Sequence, residues 1–182
     1  GGCVVRRLLK QNHEVFNVDK FGYASNISAI EKCINDSNNN VLGKHNLIKI
    51  DLANAKEIEE LVIETKPDSI IHLAAESHVD RSISGPEVFI KSNIVGTFNL
   101  LEATRKYWNS LSFLKRDEFR FHHISTDEVF GSLSEQGRFS EKTPYEPRSP
   151  YSATKASSDH LVNAWYHTYE LPILITNCSN NY

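Results

Sequence analysis

An α/β fold built on a doubly wound parallel sheet is the class this sequence predicts, on three observations. Short β-rich apolar runs alternate with longer stretches of helical periodicity, the pattern of successive βαβ units. The run Ile70-Ile71-His72-Leu73-Ala74 is almost continuously apolar, as a strand covered on both faces requires. Polar residues stand at the ends of strand-like runs (Asp19, Asp51, Thr126), where an open α/β sheet places its crevice. A closed barrel of eight such units would need more chain, because only five strands are visible.

The elements follow in order. The chain opens Gly1-Gly2-Cys3-Val4-Val5-Arg6-Arg7-Leu8-Leu9, with apolar positions 4, 5, 8 and 9 on one helical face. Strands are expected at 14–18, 46–50, 69–74, 120–125 and 172–177, and helices near 26–34, 55–65, 86–108 and 150–170. Residues 35–40, polar throughout, and Lys115-Arg116-Asp117-Glu118 read as loops too short to divide domains. The whole of 1–182 is therefore expected to be one domain. Because it starts on a helix and stops just after a strand, we expect it to be incomplete at both ends.

Composition narrows the function. The chain has 182 residues, 20 Lys and Arg against 23 Asp and Glu, a net charge of −3, and 40% hydrophobic residues. That supports a packed core and gives no basic footprint for nucleic acid or an anionic membrane. No window of about 18 apolar residues predicts a membrane span. Cys3, Cys33 and Cys178 are odd in number and widely spaced, which fits neither a disulfide framework nor a zinc site. Reduced thiols in a cytoplasmic protein without a metal are the expectation.

Five motifs carry chemistry. Asp19 ends the second-strand pattern 18 residues after Gly1. In a dinucleotide fold such a carboxylate accepts hydrogen bonds from ribose hydroxyls and repels a 2′-phosphate; a turn aspartate is the alternative. Gly1, at a helix start, fits the last glycine of a phosphate-binding loop. Asp51-Leu52 is either a cofactor contact or the cap of the helix beginning near Asn54. Ala74 and Ala75, small and directly after a central strand, let a ligand lie against the backbone, with Glu76, Ser77 and His78 following. Tyr151-Ser152-Ala153-Thr154-Lys155 follows Ser149-Pro150, a helix start that places Tyr151 and Lys155 on one face. An ammonium there favours the phenolate and lowers the phenol toward the range of a general base. Thr126, ending a strand, completes a Thr–Tyr–Lys set. Asp127 and Glu128 follow it, two carboxylates whose environments can separate an acid from a base, or simply a polar turn closed by Gly131.

With these motifs in order, the chain resembles the extended short-chain dehydrogenases/reductases and, more closely, the dTDP-glucose 4,6-dehydratases. The resemblance runs along the whole length: Val18-Asp19-Lys20, 73–81, Asn93-Ile94-Val95-Gly96-Thr97, 125–131, 151–161 and 177–182. Thr126-Asp127-Glu128 discriminates, since related epimerases and decarboxylases share Tyr-x-x-x-Lys but generally lack the carboxylate pair. The chain departs from the pattern in lacking the first strand and most of the glycine loop, and in carrying Ser92 where the family often has Thr.

The resemblance implies a Rossmann-like NAD-binding domain, followed in the family by a substrate domain absent here. It also implies a redox-neutral lyase. Tyr151, activated by Lys155 and Thr126, would take the proton of the sugar 4-hydroxyl as hydride passes to NAD. Glu128 would remove the C5 proton and Asp127 protonate the leaving 6-hydroxyl, before hydride returns to C6. NAD contacts are implied for Gly1, Asp19, Lys20, Asp51, Leu52, Ala74, Ala75, Tyr151, Lys155 and Asn181. Ser77, Thr126 and Asn180 would face the nucleotide sugar. The alternatives are a 4-epimerase, a decarboxylase, a CDP- or GDP-sugar dehydratase, or a non-catalytic NAD-binding module. Apolar residues in excess of one stripe on the helices near 86–108 (Phe89, Ile94, Val95, Phe98, Leu101) and 150–170 (Leu161, Val162, Trp165, Tyr166) predict a homodimer. Relatives pair these two helices across a two-fold axis.

Overall fold

The computed structural model describes residues 1–36, 41–133 and 137–179. They form two compact units, Gly1–Asp51 and Leu52–Tyr182.

In the first unit, helix α1 (Gly2–Lys10) leads into β1 (Val15–Asp19), then α2 (Ser28–Asn35) and β2 (His45–Lys49). The two strands pair in parallel from Val15↔His45 to Asp19↔Lys49. The helical face read at 4, 5, 8 and 9 supplies Val5 and Leu9, which pack on Ile30 with Val15 and Val41 around them.

The second unit holds α3 (Ala55–Thr65), β3 (Ser69–His72), α4 (Val79–Ser84), α5 (Pro86–Phe89), a π-helical stretch Ile90–Val95, α6 (Gly96–Ser110), α7 (Phe113–Glu118), β4 (Arg120–Thr126), a 3₁₀ turn Asp127–Phe130, α8 (Pro150–Tyr169) and β5 (Ile173–Cys178). Its strands run parallel in the order β3-β4-β5, in register Ser69↔Arg120 and Phe121↔Ile173. Along β4, Phe121, His123 and Ser125 alternate inward and are buried. Helix α3 packs on α6, and α8 lies against β4. Gly96 permits part of this packing, since a Cβ there would stand 3.0 Å from Leu52 Cβ.

Among the described residues all pairing is parallel, as expected, with five strands divided between a two-stranded and a three-stranded sheet. Each expected strand lies within two residues of an observed one. Two differences matter. Strand β3 stops at His72, not at residue 74, because the backbone of Glu76 is held by the Asn93 side chain and not by a ladder. The charged run 115–118 is the end of α7, not a loop; that helix buries none of its residues, so no apolar stripe betrays it. Residues 37–40 of the polar run lie outside the described residues.

Candidate active site

The second unit gathers five of the nominated side chains about the C-terminal end of β4. Thr126 ends the strand and caps the 3₁₀ turn after it, its Oγ1 accepting from the Glu128 amide at 3.3 Å. Asn177 of β5 donates from Nδ2 to the Thr126 carbonyl at 3.1 Å. The turn leaves Asp127 half-buried and Glu128 exposed, while Val129 and Phe130 pack with Ala156 of α8. Gly131 closes it at φ +88°, where a Cβ would stand 2.7 Å from the Glu146 carbonyl oxygen. The polar-turn reading of this segment is therefore also correct, and the turn is what presents both carboxylates.

Helix α8 begins with a reciprocal cap: Ser152 N–H donates to Ser149 Oγ at 3.0 Å, and Ser149 N–H to Ser152 Oγ at 2.9 Å, with Pro150 in the first turn. Tyr151 and Lys155 sit one turn apart on its inner face, 8% and 4% exposed. Lys155 Nζ donates to the Ile124 carbonyl of β4 at 2.8 Å. The Tyr151 ring meets Phe89 edge-on at 6.4 Å.

The electrostatics correct one expectation. Burial pushes the Tyr151 phenol above its ordinary value, and the carboxylates of Glu128, Asp127 and Asp159 push it the same way. The Thr126 hydrogen bond pulls it down, but not enough to offset burial and the carboxylates. Lys155 directs its ammonium at a strand carbonyl, and burial brings it down to about 8. Glu128 is raised by partial burial and then by Asp127, which makes it the stronger base when ionised.

Other nominated residues are placed as follows. In the first unit, Gly1 precedes α1 and its carbonyl accepts from Val5 N–H at 3.1 Å. Asp19 ends β1 with Oδ1 accepting from Phe21 N–H at 2.7 Å and Ser25 Oγ at 2.8 Å, which is the turn role. Lys20 is half-buried beside Gly22, and Asp51 is exposed. Asp51 is not the cap of α3; Asn54 is, accepting from Glu57 N–H at 3.5 Å, because Asn54 stands directly before the first helical residue. In the second unit, the Leu52 carbonyl accepts from Asn99 Nδ2 at 2.9 Å. Ala74, Ala75 and Ser77 are exposed in the irregular segment after β3. Asn180 and Asn181 lie outside the described residues.

Several buried polar residues behind the site escaped the sequence reading as participants. Asn93, in the π-helical stretch, donates to the Glu76 carbonyl at 3.0 Å and to Thr154 Oγ1 at 2.9 Å, and accepts from Glu76 N–H at 2.8 Å. It thereby ties the segment after β3 to α8, and a π-turn at such a place is common near functional sites. His123 and Asp159 are wholly buried, with Nε2 and Oδ1 3.1 Å apart. The available signal was spacing, since Asp159 follows Lys155 by four residues on the same helix face. Among the described residues, no group of three or more His, Cys, Asp and Glu is placed to hold a metal ion, and no helix is long and apolar enough to cross a membrane.

Known proteins are similar to this chain along its length. The dTDP-glucose 4,6-dehydratase of Salmonella typhimurium is 50% identical over 192 residues, covering 100% of this chain and 52% of the relative. That of Xanthomonas campestris pv. campestris is 49% identical over 182 residues, covering 100% and 50%. These are the group to which the Thr-Asp-Glu and Tyr-x-x-x-Lys motifs pointed. The chain spans about half the length of the curated relatives it matches. Among solved structures, the Bacillus anthracis dTDP-glucose 4,6-dehydratase in complex with NAD is 35% identical with a TM-score of 0.79, covering 100% of this chain and 52% of that one. A Thermus thermophilus UDP-glucose 4-epimerase complex with NAD is 26% identical with a TM-score of 0.78, covering 97% and 50%. The family model described as GDP-mannose 4,6 dehydratase matches residues 1–182, and the chain belongs to that family.

Proposed function

We propose that the chain, completed to the length of its relatives, removes water from dTDP-glucose to give the 4-keto-6-deoxy sugar, using NAD held by this half. The observation that carries the reading is the convergence of Thr126, Asp127, Glu128, Tyr151 and Lys155 at the end of β4. A 4-epimerase needs a base at the 4-hydroxyl; only an elimination also needs an acid and a base for C6 and C5. Relatives at about half identity are dTDP-glucose 4,6-dehydratases, and structural neighbours hold NAD.

The second unit fits such a cofactor: Ala74 and Ala75 are exposed beyond the end of β3, so the backbone there is open to a flat ligand. When bound, NAD supplies a reversible hydride acceptor. By the family resemblance, NAD contacts would fall on Gly1, Asp19, Lys20, Asp51, Leu52, Ala74, Ala75, Tyr151, Lys155 and Asn181. Residues 1–182 would serve as an NAD-binding domain. Asp19 would favour NAD over NADP while also organising its own turn.

Tyr151 takes the proton from the sugar 4-hydroxyl, steadied by the Thr126 hydroxyl. Lys155, as an ammonium below about pH 8, favours the phenolate. Glu128, raised in basicity, removes the C5 proton once C4 is a ketone. Asp127 delivers the proton with which the 6-hydroxyl leaves. Ser77 and Asn180, with Thr126, would orient the nucleotide sugar. The absence of a disulfide among the described residues and the near-neutral charge support a cytoplasmic enzyme, and the exposed face of α6 and α8 supports a homodimer with neither nucleic acid nor membrane as partner. Incubation of the completed protein with dTDP-glucose, followed by NMR of the sugar, tests the reading. A product with a 4-ketone and a C6 methyl is expected; an epimer retaining its 6-hydroxyl would overturn it.

A further inference from the structure

Asp159 is 0% exposed, one turn beyond Lys155 and two beyond Tyr151 on the inner face of α8. Its Oδ2 accepts two hydrogen bonds, from Ser125 Oγ at 2.6 Å and from the Tyr145 hydroxyl at 2.9 Å. Its Oδ1 accepts none, although it too is buried. His123 Nε2 stands 3.1 Å from that oxygen without hydrogen-bond alignment; burial lowers the imidazole more than Asp159 raises it, which holds it toward its neutral form. The histidine therefore does not absorb the carboxylate's charge.

A carboxylate in a core is costly, and one with an unpartnered oxygen is a poor choice for packing alone. Lys155, also buried, carries the opposite charge on the same face. Of the charges that favour its ammonium, Asp159 contributes most and Cys178 of β5 less. The other titratable groups that face Lys155 are His72 of β3 and His123 of β4, while Glu128 and Asp127 of the 3₁₀ turn, and more weakly Asp159 itself, push the Tyr151 phenol up. Asp159 thus meets two requirements at once. It ties α8 to β4 through Ser125, the residue directly before Thr126, and, one turn from Lys155 on the same buried face, it opposes the loss of the Lys155 proton that burial favours.

We propose that Asp159 is a positioning residue for the Tyr151–Lys155 pair, acting as the buried counter-charge of Lys155 and as the tie that sets α8 against the end of β4. The inference rests on the reading of Tyr151 and Lys155 as the proton-handling pair. In the completed protein, Asp159→Asn preserves shape but removes charge. Lys155 titration, followed by ¹³C NMR of labelled lysine, should move at least about half a pH unit lower in the variant. The alkaline limb of the first oxidation should move with it, kcat falling while KM changes less than about twofold. Ser125→Ala and Tyr145→Phe keep the charge, and should lower kcat at every pH without moving the limb. A uniform loss of kcat in Asp159→Asn with an unmoved Lys155 titration would overturn the proposal. If Asp159→Asn alone does not fold, Lys155→Met/Asp159→Asn decides. Removing both charges should restore folding, and continued unfolding counts against the counter-charge. The NMR and folding readouts do not depend on turnover, so an inactive unmodified protein would overturn the functional reading and leave this one to its own result.

Discussion

Asp127 and Glu128 are neighbours in sequence but not in environment: one is half-buried beside Thr126 Oγ1 and the other reaches solvent. Under the proposed function, that asymmetry would let two chemically similar groups take opposite roles, each at its own step. Asp127→Asn and Glu128→Gln, in the completed protein, are therefore expected to slow elimination by about 10²–10⁴-fold while leaving the first oxidation nearly intact. Tyr151→Phe should suppress the oxidation itself, so that no reduced cofactor accumulates in a single turnover. Absorbance of the reduced cofactor, with hydrogen exchange at C5 followed in deuterated water, separates the steps. Elimination at the unmodified rate in both amide variants would remove the dehydratase assignment. The residues were legible because each stands at a strand end or at a fixed helical step from another. The state of Tyr151 was not, since its phenol responds to burial and to three carboxylates that only the fold brings near.

At the scale of elements, the site depends on how one turn and one helix begin and end. The 3₁₀ turn that presents Asp127 and Glu128 closes at Gly131, with φ +88° and Glu146 backbone 2.7 Å from any Cβ. Gly131→Ala should destabilise the protein by about 1–3 kcal/mol, from left-handed backbone strain together with the displaced Glu146 carbonyl. Ser149→Ala removes half of the reciprocal cap of α8, and should cost about 1 kcal/mol. Urea unfolding midpoints measure both, and a Gly131→Ala loss no larger than that of Ser149→Ala would show that the segment around Glu146 yields freely. The start of α8 was readable from Ser149-Pro150 and its length from periodicity. The break at Ile90–Val95 was not, since the run from Pro86 onward is uniformly helical in pattern. What unwinds it locally is a tertiary demand: the Asn93 carbonyl accepts from both Thr97 Oγ1 and Ser158 Oγ, each at 2.6 Å.

Two consequences belong to the whole molecule. His72 and His123 are buried with ring centroids 5.1 Å apart, and burial holds both below their ordinary value, His72 well below it. The unfolded chain therefore binds protons that the folded chain refuses as pH falls. Stability should be full above about pH 6.5 and decline below it, by up to about 1.4 kcal/mol per pH unit for each histidine. Urea midpoints compared at about pH 7.5 and 5.5 should show the decline, and His72→Gln, which can still reach Thr97, should flatten it. An unchanged slope in that variant would assign the acid sensitivity elsewhere. The second consequence is assembly. Phe89, Leu101 and Val162 are spent on the protein's own core, whereas Val95, Phe98 and Tyr166 stay 40%, 44% and 48% exposed. An apolar surplus on adjoining helices calls for a partner, so the completed protein should sediment as a dimer at micromolar concentration. A monomer there would count against the pairing.

By itself the sequence determined the parallel α/β class, the positions of five strands, and which polar residues stand at strand ends and on one face of α8. These follow from periodicity and local spacing, which a chain expresses whatever it packs against. Tertiary structure alone decided which polar groups are buried, and hence the protonation balance among Tyr151, Lys155 and His123. It also decided that β3 ends at His72, where Asn93 takes the backbone of Glu76, and that Asn54 rather than Asp51 caps α3. The reason is common to all of these. Desolvation and long-range hydrogen bonds are set by residues distant in sequence, such as Asn93 and Thr154, or Ser125 and Asp159, and no local pattern encodes who those neighbours will be.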